Sequence, residues 1–373
     1  MTKLKILIFV IIVALGIIFY FNSNNKSMVT TMDEFLKLPM MGKAPELKGV
    51  SDWVNLPADK QVLELSDFKG KVVLVDFWTY SCINCIRTLP HVEGWYKKYK
   101  DNGLVILGIH APEFNFEKEK KNVEMSVLQH GLTYPVALDN DHKTWNAFAN
   151  RYWPAHYLID VDGNMRYQHF GEGKYAETEK AIQNLLLEAS LLTIDKINQV
   201  VEPPIVVREA DFSGIGTPEI YLGYLRINNV GNMDENVLAG KAFSFKIPES
   251  IEKNKFYFSG TWRIEPEFSQ YIGNLPAGGG EDGKILINYK ASKLNMVFMA
   301  EGKEVLVEVR VDGKYLDDEN KGTDVEIVNG VSQARVLESR LYNLIDNKGQ
   351  YDWHILEIIP KTPGLRAFTF TFG

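Results

Sequence analysis

Cysteine is nearly absent from this chain: 373 residues carry two, Cys82 and Cys85, with only Ile83 and Asn84 between them. That scarcity excludes a disulfide framework, because a bridge closing so small a loop removes little unfolded-state entropy. It also leaves half of a zinc site without its remaining ligands. There is no second cysteine pair, and His91, His142, His156 and His169 share no ligand spacing, so no metal is expected. Excess positive charge is missing too. The net charge is −7 with no basic stripe, which argues against a nucleic-acid partner. Long hydrophobic runs are missing after residue 21. The one run, residues 6–21, follows Lys3 and Lys5 and precedes a polar stretch at 22–27. It is a little short of the ~20 residues of a spanning helix, yet longer than most signal-peptide cores. No small-x-small cleavage site follows it, and no cysteine there could take a lipid. A cleaved signal and an uncleaved anchor both fit such a run. The missing cleavage site favours a single-pass membrane anchor at 1–28, with the remainder on the extracytoplasmic, periplasmic side.

What is present is ordinary globular composition, 45% hydrophobic and 24% charged, over a length that calls for two or three domains. Residues 29–60 carry little periodicity and read as a lead-in with a short helix near 32–38. From 61 to 192 strands and helices alternate. Strands are expected at 72–78, 104–109, 135–138, 155–160 and 165–170, and helices at 83–100, 117–130, 143–150 and 175–189. The Asp162-Gly163 turn marks an antiparallel hairpin. A βαβ unit followed by a hairpin and a helix predicts a central mixed sheet with helices on both faces. Residues 193–217, with Pro203-Pro204 and the glycines at 214 and 216, read as a linker. Beyond it, at 218–373, short alternating segments (255–264, 284–289, 296–300, 304–311, 325–328, 334–337, 353–359 and 367–372) are separated by Gly, Asp and Asn. They predict an all-β sandwich or jelly roll.

The cysteines fall where the 72–78 strand gives way to a helix. Unpaired N–H groups and the helix dipole favour an anionic sulfur there. Cys82, nearer the tip, is the expected attacking thiolate, and Cys85, one turn deeper, the resolving one. Asp76 is a carboxylate inside an apolar strand, which is costly to bury. Below the dithiol it would accept the proton of Cys85; on a solvated sheet face it would do nothing. Pro90 is expected to kink the helix without ending it. Pro154 precedes a strand and is either cis, turning the backbone toward the cysteines, or an ordinary trans proline. In the first case the main chain of Trp153 would pair with an extended substrate segment. Parallel strands of a βαβ unit end on one sheet edge, so His110 and Glu113 should lie near Cys82, as modulators of the thiolate or as helix caps. Tyr80, Trp78 and Trp153 would line an apolar docking rim, although core packing suits Trp78 equally.

These features resemble the thioredoxin superfamily: an Asp six residues before the first Cys, Cys-x-x-Cys at a strand–helix junction, a Pro five residues after it, and a late Pro before a hairpin. The resemblance is closer to the extracytoplasmic part of the DipZ family. It is carried by FWTYSCINCIRTLPH at 77–91, HAPEF at 110–114, YPVALDN at 134–140, RYWPAHYLID at 151–160, TPEIYLG at 217–223 and FTFG at 370–373. What the resemblance implies is an α/β thioredoxin fold followed by a carbohydrate-binding-module-like jelly roll. Relatives carry a multi-span electron-conducting domain ahead of the thioredoxin part. Here one hydrophobic run stands in its place, so a separate membrane electron donor is expected.

The expected activity is thiol:disulfide oxidoreduction on protein disulfide substrates, with the cysteine pair as the redox group and no other cofactor. Reduction is the favoured direction, because no His between the cysteines gives the cationic support of a strong oxidant. An oxidant or isomerase is the nearest alternative. Thr79, three residues before Cys82, fits a peroxidase less well, since Val75 stands where such enzymes place a proline. In the β domain Trp262, Tyr271, Tyr289, Tyr315, Tyr351 and Trp353 fit either a core or a sugar-binding face. A glycan- or protein-binding protein, in which the thioredoxin part only docks, is therefore the rival of another class.

Overall fold

The computed structural model describes residues 37–193, 212–234, 239–273 and 283–373. The expected anchor, most of the lead-in helix and most of the linker lie outside the described residues. Among those described, no helix is long and apolar enough to cross a membrane.

The first unit runs β1 (Asp52–Val54), β2 (Val72–Trp78), α1 (Ile83–Tyr99), β3 (Leu104–His110), α2 (Lys120–Gln129), β4 (Val136–Leu138), α3 (Lys143–Ala147), β5 (Ala155–Ile159), β6 (Met165–Phe170) and α4 (Tyr175–Glu188). Its sheet has the order β1-β4-β3-β2-β5-β6. β2 pairs parallel with β3 and antiparallel with β5. Every residue of β2 is buried, as a run with few polar residues demands when both faces are covered. Val72, Leu74 and Trp78 face α1 and α4 through Leu89, Val92, Trp95, Ile182 and Leu186. Val73, Val75 and Phe77 face Trp53, Leu63, Phe148 and Tyr157 on the other side. This is the expected mixed sheet with helices on both faces. α1 continues through Pro90 to Tyr99, with Lys97 and Lys98 in its last turn where the dipole favours cations. The segment read as a lead-in does more than lead in. Residues Asp52–Val54 add an edge strand to β4, and Arg166 reaches back to the carbonyl oxygens of Leu38 and Pro39 at 2.9 and 3.1 Å. Three residues are too few to show a period, so the sequence hid them.

The second unit is all-β: β7 (Ile220–Tyr221), β8 (Ala242–Phe245), β9 (Phe256–Ile264), β10 (Ser269–Gly273), β11 (Lys284–Lys290), β12 (Lys293–Ala300), β13 (Val305–Val311), β14 (Lys314–Tyr315), β15 (Glu326–Val328), β16 (Val331–Val336), β17 (Arg340–Asp346), β18 (Trp353–Pro360) and β19 (Leu365–Phe372). β9 belongs to two layers. Its first half pairs with β11 and its second with β10. The switch falls at Gly260, whose φ of 75° a side chain would resist. The layers β15-β16-β13-β18-β11 and β10-β19-β12-β17 close over one core, Ile285, Val307 and Ile358 from the first meeting Met296, Phe298 and Phe370 from the second. The expected sandwich is therefore present. β8, β10, β17 and the two-residue strands β7 and β14 were not legible in the sequence.

The outer face of the second layer is not left to solvent. Phe114, Val297, Leu341 and Phe368 form a buried seam between the units, flanked by Ile83 and Ile86 of α1. The Phe368 ring stands 5.1 Å from Phe114 and 4.9 Å from Phe116. Polar contacts frame the seam: Glu113 accepts from Tyr221 and from Arg226, each at 2.8 Å, and Glu267 accepts from Asn115. Burying a large apolar side chain is worth roughly 1.5–3 kcal/mol, so a seam of four holds the sandwich as a fixed wall beside the first turn of α1.

Candidate functional site

Cys82 is the N-cap of α1. Its backbone is extended (φ −83°, ψ 114°), and its sulfur accepts the N–H of Cys85 at 3.3 Å. A sulfur in the place of a capping oxygen sits where orphan N–H groups and the helix dipole attract negative charge. Cys82 is partly exposed, Cys85 buried, and both are free thiols. Burial, the neighbouring Cys82 sulfur and, more weakly, Asp76 push the Cys85 thiol well above its ordinary range. One sulfur is thus reachable and held as a hydrogen-bond acceptor, while the other keeps its proton.

Asp76 lies on the α1 side of β2, fully enclosed rather than on a solvated face. The antiparallel register with β5 sets His156 opposite it, with Nε2 3.2 Å from Oδ1. The two atoms are close but not aligned as a hydrogen bond. On the other flank, β3 offers Gly108 opposite Asp76. A Cβ there would stand 3.0 Å from the Tyr134 ring and 3.1 Å from Trp78 Nε1, so the glycine makes room for both. Burial and, behind it, the neighbouring Asp76 push the Tyr134 hydroxyl well above its ordinary range. Its hydroxyl, Trp78 Nε1 and both Asp76 oxygens have no hydrogen-bond partner within the protein. A small polar compartment is therefore enclosed in the apolar core under Cys85. Sequence reasoning missed His156, counting it among histidines without ligand spacing. The available signal was its position two residues after Pro154, on the strand face that looks at Asp76.

The Trp153–Pro154 peptide bond is cis. The Trp153 indole donates to the Ala111 carbonyl at 3.0 Å and packs on Trp145 at 4.3 Å, while Tyr152 is exposed. Tyr80, expected on an exposed rim, is buried: its ring stacks on His110 at 5.6 Å. Trp78 belongs wholly to the core. His110 is buried as well, and that burial pushes its pKa down to about 3, so the imidazole is neutral. Its Nε2 lies 3.4 Å from the Thr79 hydroxyl. Glu113 turns away to the sandwich. The carboxylate that does touch the active-site turn is Glu117, which sequence reasoning used only as a helix start. Glu117 accepts from Ser81 N at 3.2 Å, Ser81 Oγ at 2.7 Å, Glu113 N at 2.6 Å and Phe114 N at 2.9 Å. Burial pushes it up to about 7 against those donors. It straps the turn before Cys82 to the loop after β3.

In the sandwich, Trp262, Tyr271 and Tyr289 are buried core residues. Lys253 covers Trp353 at 4.5 Å and Arg310 covers Tyr315 at 4.4 Å. Among the described residues no cluster of His, Cys, Asp or Glu is arranged to hold a metal.

Comparison with known proteins finds relatives of both units. Residues 217–373 match the thioredoxin-like C-terminal domain family and residues 42–168 match the AhpC/TSA family. Protein DipZ of Mycobacterium bovis and of Mycobacterium tuberculosis is 36% identical over 355 residues, 94% of this chain and 46% of theirs. The chain thus spans about half the length of those relatives. The thiol-disulfide oxidoreductase YkuV of Bacillus subtilis is 30% identical over 153 residues, 41% of this chain and 97% of that protein. The solution structure of a thioredoxin-like protein in the oxidised form is 29% identical, covers 39% of this chain and 96% of its own, and has a TM-score of 0.35. The chain belongs to the thioredoxin-like thiol-disulfide oxidoreductases.

Proposed function

We propose that this protein reduces disulfide bonds of other proteins outside the cytoplasm, held at the membrane by residues 1–28 and supplied with electrons by a separate membrane partner. The Cys82 thiolate attacks one sulfur of the substrate disulfide. A mixed disulfide forms, and the first substrate sulfur leaves and takes up a proton. Cys85 then gives its proton to Asp76 and attacks Cys82 Sγ. The Cys82–Cys85 disulfide forms, the second substrate sulfur leaves as a thiolate, and the proton taken by Asp76 is given up again as that thiolate is protonated. Two electrons have passed from the dithiol to the substrate, and the membrane donor returns them. His156, 3.2 Å from Asp76, holds the carboxyl in place. The main chain of Trp153, beside the cis Pro154, pairs with an extended substrate segment.

The observation that carries this reading is the asymmetry of the pair, with Cys82 reachable at a helix tip and Cys85 buried with its N–H on the other sulfur. It is tested by insulin reduction, expected of the wild type and abolished in Cys82→Ala. Direction is tested by equilibration with glutathione. A potential near ~−270 mV supports reduction, and one near ~−120 mV, the range of strong oxidants, reverses it.

A further inference from the structure

Beyond the apolar seam a cleft of about 1000 Å³ lies between the two units. Its wall on the first unit includes Ile83 and Met125, and its wall on the sandwich includes Asn295, Asn343 and Leu337. Ile83 is bonded to Cys82, so one residue of the cleft lining follows the attacking cysteine directly, about 3.8 Å along the chain.

Three properties of the walls select an occupant. The first is charge. Arg87, Lys293 and Arg340 line the cleft, and each is matched: by Glu172 at 2.6 Å, Asp346 at 3.3 Å and Asp324 at 2.7 Å. Neutralised cations offer nothing extra to a phosphate or a nucleic acid. The second is Asn295. Its side chain is buried and its Oδ1 accepts from Asn343 Nδ2 at 2.9 Å, but its Nδ2 has no acceptor within the protein. Val297 and Leu341, paired with one another on the same two strands, belong to the apolar seam. The pairing is irregular between Leu294 and Asn295, a bulge of the kind that re-aims a side chain. A buried N–H without an acceptor is costly, and an arriving carbonyl relieves that cost. The third is apolar. Met125 and Leu337 are large side chains, 42% and 56% exposed, on opposite walls of the same space.

Carbonyl acceptors alternating with apolar side chains are what an extended polypeptide presents. A sugar would ask for an open aromatic face. Tyr351, the aromatic on the sandwich wall, has its ring against Gly214, where a Cβ would come within 2.6 Å. We infer that this cleft binds an extended segment of the disulfide-bearing polypeptide, Asn295 donating to a main-chain carbonyl and apolar side chains resting on Met125 and Leu337, so that the adjoining disulfide is presented to Cys82. The inference rests on the oxidoreductase reading and deepens it: the sandwich becomes the element that chooses the substrate.

The test compares the pre-reduced full chain with its Asn295→Leu and Leu337→Asp variants, reacted in single turnover with insulin and with 5,5′-dithiobis(2-nitrobenzoate). In every case the Cys82/Cys85 dithiol becomes a disulfide and the reagent disulfide becomes two thiols, so no further reductant is needed. Both variants should lose about three- to tenfold in second-order rate constant toward insulin, the worth of one hydrogen bond or apolar contact. Toward the small reagent they should stay within about twofold of wild type, because that reagent needs only Cys82. Leu337 is exposed, so its variant folds even if the Asn295 variant does not. Equal losses toward both reagents, no loss toward either, or an oligosaccharide found bound in the cleft overturns the inference. A wild-type chain that reacts with neither reagent sinks the oxidoreductase reading itself.

Discussion

Replacing His156 with leucine removes the group that faces the buried Asp76 carboxyl while keeping an apolar side chain in the core. Nε2 stands 3.2 Å from Oδ1, and both side chains are enclosed. Removing one partner from an enclosed polar pair leaves the other without its neighbour, which costs about 1–3 kcal/mol. His156→Leu should therefore lower unfolding stability by about 1–3 kcal/mol. Asp76→Leu/His156→Leu should be less destabilised than the two single changes together, with a coupling of about 1 kcal/mol or more. Urea titration followed by tryptophan fluorescence suits the measurement, since Trp95 touches the His156 ring at 5.7 Å. A functional arm accompanies it. In His156→Leu the attack by Cys82 should proceed at the normal rate while release of the mixed disulfide slows, and His156→Gln should restore release by returning a polar partner to the carboxyl. Single changes that add to within about 0.5 kcal/mol, together with unchanged release, would refute the pairing.

Cys85→Ser should accumulate mixed disulfides on Cys82 in cells, visible on non-reducing gels and identifiable by mass; their absence would remove Cys82 as the attacking sulfur. Glu117→Gln should flatten the dependence of stability on pH. The buried carboxyl titrates at about 7 instead of 4.5, so the folded state holds a proton that the unfolded chain has lost. Its contribution is complete below about pH 4.5 and disappears as pH rises through about 7, a loss of roughly 3 kcal/mol relative to the Gln variant. Paired urea titrations at pH 5 and pH 8 check this, and parallel curves would contradict it. Phe368→Ala should cost about 3–5 kcal/mol and separate the unfolding of the two units, read by calorimetry; a loss below about 1 kcal/mol would mean that the seam does not hold them.

Much of the first unit was legible because its strands and helices are long enough to show a period. The 72–78 strand is all apolar except Asp76, and it proved buried on both faces. The helix after it, with apolar residues at 85, 89, 92, 95 and 99, proved to place them all in one core. What stayed hidden follows physical rules. β17 carries the cleft and the seam together, so its polar and apolar residues serve different purposes on one face, and the simple alternation that marks a half-buried strand is lost. The bulge at Asn295 shifts the phase of the neighbouring strand for the same reason. His156 and Glu117 were illegible in another way. Their roles come from partners 80 and 36 residues away, Asp76 and Ser81, and only the paired strands and the folded loop bring them together.

The segment Cys82-Ile83-Asn84-Cys85-Ile86-Arg87 shows how little sequence is needed once a helix sets directions. Residues three and four apart share a face. Cys85 and Leu89 point inward, while Ile83 and Ile86 point to the sandwich. Asn84 and Arg87 bind one another, and Arg87 reaches Glu172 with two bonds of 2.6 Å. Cys82, before the first turn, is left at the opening among these three commitments. The isoleucines are therefore as informative as the cysteines. In a thioredoxin unit that worked alone, two branched apolar residues beside the reactive sulfur would lie in water or await a partner. Here the protein's own second unit covers them. The sandwich thus screens the side of Cys82 that carries the isoleucines, and exchanging Ile83 and Ile86 for alanine should loosen that restriction. Such a variant should react faster with bulky folded disulfide proteins and no faster with a small reagent. An equal gain toward both would show that the sandwich supports the helix without guarding it.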